Sequence, residues 1–265
     1  MKRVSLLLLV LSAVVVIALK NWKEEVVRIQ GQAMGCGWSL AYEGDAEDAV
    51  RRVVAGELER WEQVMSQWRK GSDLSRFNRG EAASEDLARV IVLAERMKRE
   101  TGAAFDFELL EQVHASGFGP EGKGIDLSAI GKGFAVDRVG ERLREMGVER
   151  FVFELGGEVL AGEGEWKVAL ESPRFDGKDK VLPVANRAVA TSGNYQQFRK
   201  SAKGLISHII DPRTGEPVIR PPCSVTVFAD DCATADAWAT ALFVLGPDSR
   251  PDRAPEFVWN FGDGR

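Results

Sequence analysis

Cysteine is scarce in this chain of 265 residues: Cys36, Cys223 and Cys232 are the only three. They make neither a C-x-x-C pair nor a zinc-ligand pattern, which excludes a disulfide scaffold and a thiolate metal centre. Cys223 and Cys232 could pair in an oxidising compartment, but the strand-like stretch between them holds them apart and favours two buried thiols. Histidine is scarcer still, with His114 and His208 alone, so a histidine-rich metal site is excluded. Positive charge is not in surplus. The net charge of −5 and the want of a basic run argue against general nucleic-acid binding. Internal repeats, low-complexity tracts and the GxxxxGK[ST] phosphate loop are all missing. What remains is 45% hydrophobic and 28% charged, enough to bury the core of one large domain or two small ones.

The chain starts with Met1, Lys2 and Arg3, followed by an apolar run over residues 5–19 that closes at Lys20. This is the anatomy of a secretory leader. No small-x-small cleavage site follows, so residues 1–22 are expected to form an uncleaved signal anchor or, failing that, a cleaved signal peptide. The positive-inside rule places the remainder, residues 23–265, on the extracytoplasmic side.

Periodicity predicts a strand pair over residues 25–42, broken by Gly31, Gly35 and Gly37. The glycines around Met34 and Cys36 suit either a turn that lets backbone approach a ligand or a simple bulge. Amphipathic helices are expected over residues 45–68 and 84–101, the second with Ser84 as its N-cap. The stretch from Ile125 to Asp137 reads as a short strand that enters a small-residue turn and then a helix running to about Met146. Further strands are expected at 149–161, 166–171, 188–195 and 224–229, and residues 176–180 read as a surface loop. His114 reads as structural or exposed.

Three stretches carry polar groups suited to chemistry. The last helix, over residues 234–245, is Ala-rich and ends at Gly246-Pro247. Asp236 and Thr240 stand four residues apart on it, hence on one face. They could offer oxygen ligands to a hard cation, or Asp236 could cap the helix while Thr240 bonds back to its carbonyl. Gly131-Lys132-Gly133 at a helix start suits an anion. His208, close to Asp211 and Thr214 in a polar loop, could handle a proton or simply be a satisfied turn histidine.

Taken together, these stretches resemble the ApbE family of FAD:protein FMN transferases. The residues carrying the resemblance are Met34-Gly35-Cys36, Met65-Ser66-Gln67-Trp68 with Ser72 to Asn78, Gly117-Phe118-Gly119-Pro120 and Ile125-Asp126-Leu127-Ser128 through Gly133. They continue through Gly156-Gly157, Thr191-Ser192-Gly193 with Tyr195, Ser207-His208 with Asp211 to Gly215, and Asp236 to Ala241. The order is that of the family, from about Met34 to Gly246.

The resemblance implies an α+β fold with mixed, mainly antiparallel sheets and packed helices, in two lobes around a flavin cleft. It implies Mg²⁺-dependent transfer of FMN from FAD to a threonine or serine hydroxyl of an acceptor flavoprotein, with release of AMP. FAD would be held by Met34, Ser66, Gln67, Trp68, Ala104, Phe105, Asp106, Ser128, Lys132, Thr191, Ser192, Gly193 and His208. Mg²⁺ would be held by Asp236, Thr240 and the backbone carbonyl of Gly131. His208 and Asp236 would be the catalytic pair, His208 as the base. The alternatives are an FAD pyrophosphatase and an FAD-binding protein without chemistry. This chain departs from the family in three places: Cys36 replaces a threonine, Gly131 replaces an alanine, and residues 109–116 lack the usual Val-Gly-Pro and Trp. The short tail after Gly246 is expected to leave the last sheet poorly closed.

Overall fold

The computed structural model describes residues 26–170, 173, 180–201 and 204–262. The leader, residues 1–22, lies outside them, as do residues 176–179 of the expected surface loop. Among the described residues no helix is long and apolar enough to cross a membrane.

The chain begins with a hairpin, β1 (Val26–Ala33) and β2 (Cys36–Glu43), joined by Met34 and Gly35. Both turn residues have positive φ, +49° and +76°, as the twist of a two-residue hairpin requires. Helices α1 (Glu47–Met65), α2 (Asp73–Phe77) and α3 (Glu85–Glu100) follow. The Ser84 hydroxyl caps α3 by accepting the Leu87 N–H. Helix α1 stops at Met65, earlier than its periodicity suggests. Ser66 is extended, and its hydroxyl accepts the N–H groups of Trp68 and Arg69, turning the chain out of the helix.

A short α4 (Leu110–Ala115) leads to residues 125–127, expected as a strand but part of no strand or helix. The Asn78 side chain supplies what a neighbouring strand would, donating to the Ile125 carbonyl at 2.8 Å and accepting the Ile125 N–H at 2.9 Å. Then come α5 (Gly131–Glu145), β3 (Phe151–Leu155), β4 (Glu158–Ala161), β5 (Trp166–Leu170), β6 (Lys180–Val184) and β7 (Arg187–Gly193). The chain continues with β8 (Phe198–Ser201), β9 (Gly204–Asp211), β10 (Glu216–Arg220), β11 (Cys223–Ala229), α6 (Cys232–Leu245) and β12 (Glu256–Phe261). Lys180, expected in a loop, opens β6. His208, expected in a loop, lies within β9, and only the turn after Asp211 is irregular.

Seven strands form one antiparallel sheet in the order β1-β2-β3-β4-β7-β11-β12. β12 pairs with β11 along its length, so β12 rather than β11 forms the edge of the sheet opposite β1. The central strands are buried on both faces, which explains why every residue of β3 but Glu154 is apolar. Phe151, Phe153 and Leu155 join the core beneath the helices, whereas Val152 joins a second cluster with Val159, Trp166, Val168 and Phe228. The hairpin of β5 and β6 contributes to that second cluster. A smaller sheet, β10-β9-β8, stands beside α4. The α+β architecture and its largely antiparallel sheets are thus as expected.

Helix α6 is apolar all round and therefore sits inside, between the large sheet and helices α3 and α5. Its small residues let α5 come close. A Cβ on Gly133 would fall 2.4 Å from the Cys232 carbonyl oxygen, so only glycine fits there. Gly133→Ala is expected to destabilise the fold by ~1–3 kcal/mol, because the obstructing atom is backbone and cannot swing aside. Gly56→Ala, on the exposed side of α1 with nothing near its added Cβ, is expected to stabilise by up to about 1 kcal/mol. Urea denaturation of the two variants checks both signs.

Candidate active site

A cavity of about 350 Å³ opens between the large sheet and the β8–β10 sheet. The Met34–Gly35 turn, the Gly156–Gly157 turn, the end of β7 and one face of α6 form one side. Leu109, Val113 and the β9 residues His208, Ile209 and Ile210 line the other.

Asp236 does not cap its helix. Asp231 does, accepting the Thr234 N–H at 2.7 Å. Asp236 instead reaches across to α5, where its Oδ2 accepts the Gly133 N–H at 3.1 Å. Its Oδ1 has no hydrogen bond among the described residues, although the side chain is only 5% exposed and lines the cavity. Burial raises the Asp236 carboxyl above its ordinary value, and Lys132 opposes the rise. Thr240 lies on the same helix, and its hydroxyl meets the Ser192 hydroxyl at 3.2 Å. A buried carboxylate with one uncommitted oxygen and a hydroxyl one turn further along are hard-oxygen donors of the type Mg²⁺ takes together with substrate phosphate, whereas Gly131, the third expected ligand, is not itself part of the cavity wall. Gly131 opens α5 between Ala129 and Lys132, which both line the cavity.

Lys132 makes an ion pair with Glu158 at 2.5 Å and donates to the Gly156 carbonyl at 3.3 Å. Burial alone would lower this ammonium, but Glu158 and Asp236 outweigh it and hold Lys132 above its ordinary range. Gly156, at φ +60°, passes Cys36 so closely that a Cβ would lie 2.6 Å from its sulfur. Burial pushes the Cys36 thiol up to about 12.

His208 meets the Gln197 carbonyl through Nδ1 at 3.3 Å and packs edge-on against Phe118, with ring centroids 6.2 Å apart. In the tautomer that donates from Nδ1, Nε2 is left as the proton acceptor. Burial lowers the His208 pKa, so the ring is neutral at pH 7 and able to take a proton. Asp211 does not orient it. That carboxylate is held by Arg213 at 2.8 and 2.7 Å.

Met34, Ala104, Asp106, Ser128, Lys132, Thr191, Ser192, Gly193, His208, Asp236 and Thr240 all line this one cavity. Four expected flavin contacts do not. Trp68 is 65% exposed on the surface, because the Ser66 turn directs it outward. Ser66 spends its hydroxyl on that turn. Phe105 is buried in the helical core. Gln67 sits behind the wall; with its amide turned so that the nitrogen faces Asp126, as the surrounding acceptors require, it donates to both oxygens of that carboxylate at 3.2 and 3.1 Å. Asp126 and Tyr195, quoted above only as parts of motifs, line the cavity too, as do Glu158 and Gln197, which no motif contains. Asp126 could have been found from the Asp-x-Ser spacing, since its carboxylate accepts the Ser128 N–H at 2.7 Å. Leu109 and Val113 show that the divergent segment still forms wall, now apolar.

Glu154 lies just behind this site. Its carboxyl is 2% exposed, accepts from Ser39 and the Gly157 N–H, and is pushed up to about 7 by burial. A carboxyl raised on folding binds its proton more tightly in the native state, so its contribution to stability is full below pH 4.5 and lost as pH rises through about 7. Glu154→Gln is expected to flatten the decline in unfolding free energy over that window by on the order of 3 kcal/mol. Asp137, also raised to about 7 by burial, keeps part of the slope. Denaturation at a series of pH values reads this directly, and an unchanged slope would show that Glu154 is ionised throughout.

The family model described as "ApbE family" matches residues 34–124 and 120–257. A FAD:protein FMN transferase of Vibrio cholerae serotype O1 is 31% identical over 276 residues, 84% of this chain and 83% of that protein. Among solved structures, the flavin transferase ApbE from Vibrio cholerae is 28% identical at a TM-score of 0.75, covering 90% of this chain and 98% of that one. The apo flavinyl transferase ApbE of Pseudomonas stutzeri gives a TM-score of 0.77 at 26% identity, covering 87% and 88%. With most of its length matched by the family model and by such a relative, the chain belongs to the ApbE family.

Proposed function

We propose that this chain is a FAD:protein FMN transferase that moves FMN from FAD to a threonine or serine hydroxyl of an acceptor flavoprotein. Its relatives are named for that transferase activity. The observation that carries the reading is the meeting of Asp236 and Thr240 from α6 with His208 from β9 in a single cavity. Asp236, Thr240 and the Gly131 carbonyl would hold Mg²⁺, which supplies charge neutralisation for a pyrophosphate. The acceptor oxygen attacks the phosphorus of the FMN half. Its proton passes to Nε2 of His208, the bridging P–O bond breaks, and AMP leaves. Lys132, tied to Glu158, adds positive charge beside the phosphates while being kept from wandering. The leader anatomy of residues 1–22 supports placing this chemistry on the extracytoplasmic side, on a membrane anchor or after signal cleavage.

Mass spectrometry of a threonine-containing acceptor peptide incubated with the protein, FAD and Mg²⁺ tests the reading. A gain of one FMN with matching AMP is expected; AMP without labelled peptide would point to a pyrophosphatase, and FAD bound without AMP to a binding protein. Asp236→Ala should abolish Mg²⁺-dependent turnover with the fold retained, since little core volume is lost. His208→Ala should slow transfer by about 10²–10⁴-fold while FAD still binds. In the native protein the acid limb of the rate profile should lie below the ordinary imidazole value near 6.5, because burial lowers His208 and only its neutral form accepts a proton. Full activity in the Asp236 variant would remove it from the metal site.

A further inference from the structure

Glu62, near the end of α1, touches none of the cavity, yet it joins two segments that shape it. Its Oε2 accepts the Met34 N–H at 3.1 Å. The same carboxylate holds Arg69 through both oxygens, at 3.1 Å to Nε and 2.9 Å to a terminal nitrogen. Arg69 is in turn forked onto Glu59 at 2.6 and 2.9 Å, and its N–H donates to the Ser66 hydroxyl at 3.2 Å. One carboxylate therefore ties the Met34–Gly35 turn to the Ser66–Arg69 turn, whose Gln67 in turn holds Asp126 of the cavity wall.

The tie has a reason to exist at Met34. This residue has a side chain and yet stands at φ +49°, a left-handed conformation that costs free energy and persists only where its surroundings impose it. The Glu62 bond fixes the peptide at that residue, and Met34, Gly35 and Cys36 are all cavity wall. The Glu62 side chain is 20% exposed, so its hydrogen bonds are partly shielded from water. Arg69 is more exposed, at 33%, and its pairing with Glu59 keeps Glu62 from turning to solvent.

We propose that Glu62 is a positioning residue for the flavin substrate, setting the Met34 turn through a direct hydrogen bond and locking it to the Ser66–Arg69 turn through Arg69. This rests on the transferase reading for the identity of the ligand. It concerns binding rather than chemistry, since Asp236, Thr240 and His208 lie on other elements.

The test is FAD affinity, by flavin fluorescence, together with KM for FAD and kcat for transfer, in the full-length protein and in Glu62→Ala, Glu62→Gln and Arg69→Ala. Glu62→Ala should raise Kd and KM about tenfold, equivalent to ~1.4 kcal/mol, with kcat within about twofold. Glu62→Gln, which keeps an acceptor for the Met34 N–H, should recover most of the loss, and Arg69→Ala should fall between. A lower melting temperature in Glu62→Ala with unchanged Kd would mark a merely structural role and overturn the proposal. So would a fall in kcat alone, or Glu62→Gln behaving like Glu62→Ala. If the native protein binds FAD but transfers nothing, the functional reading fails while Kd still decides the role of Glu62. If the native protein binds no FAD, both fall.

Discussion

The site depends on the approach of two helix beginnings. At Gly133 the start of α5 lies against the Cys232 carbonyl with no room for a side chain. That closeness brings the Gly133 N–H to the Asp236 carboxylate. A second carboxylate works the other way: Asp137 of α5 accepts the Cys232 and Ala233 N–H groups at 2.7 and 2.9 Å, capping α6 from its neighbour. Each helix thus satisfies donors of the other that the first turn leaves without partners. The contact sets the angle at which Asp236 and Thr240 meet the cavity. It also explains why α6 is built from alanines, since larger side chains would push α5 away.

Around that junction the large sheet acts as a two-sided support. Helices cover one face and the β5–β6 hairpin packs on the other, so β3, β4 and β7 are held from both sides. The turns that leave these strands, Gly156–Gly157 and the end of β7, then enter the cavity from rigid elements. The opposite wall comes from thinner structure, α4 and the three-stranded sheet. His208 is therefore placed by a strand, but one steadied largely by its contacts with Phe118 and the Gln197 carbonyl.

Much of this was legible in the residues. The strand pair, the two amphipathic helices and the buried helix carrying Asp236 announce themselves by periodicity, because each obeys a local rule. The expected site residues that line the cavity are those whose motif falls at a turn or helix start facing it, such as Met34, Ser128 and Asp236. Trp68 belongs to a motif and Phe105 to the implied flavin contacts, yet neither lines the cavity, since neither a motif nor a resemblance says which way a side chain points. Residues 125–127 have strand composition, but the partner is an asparagine side chain, which no strand propensity anticipates. The short strands β6, β8 and β10 are too brief and too polar to show a period. β12 follows a Pro-rich stretch and depends on β11 for its definition. Glu158 and Glu62 act across 26 and 28 residues of sequence separation, so only the fold reveals their partners.

The three thiols have a consequence for where such a protein can work. Cys223 and Cys232 stand at the first positions of β11 and α6, separated by the length of a seven-residue strand, about 20 Å, far beyond the reach of a disulfide. Cys36 and Cys232 both have their ionisation suppressed by burial, and it is the thiolate that reacts with oxidants. No disulfide holds this fold together, so it needs no oxidant to form. Outside the reducing cytosol the Cys36 and Cys232 thiols would be slow to react, because the reactive thiolate is the form that burial disfavours.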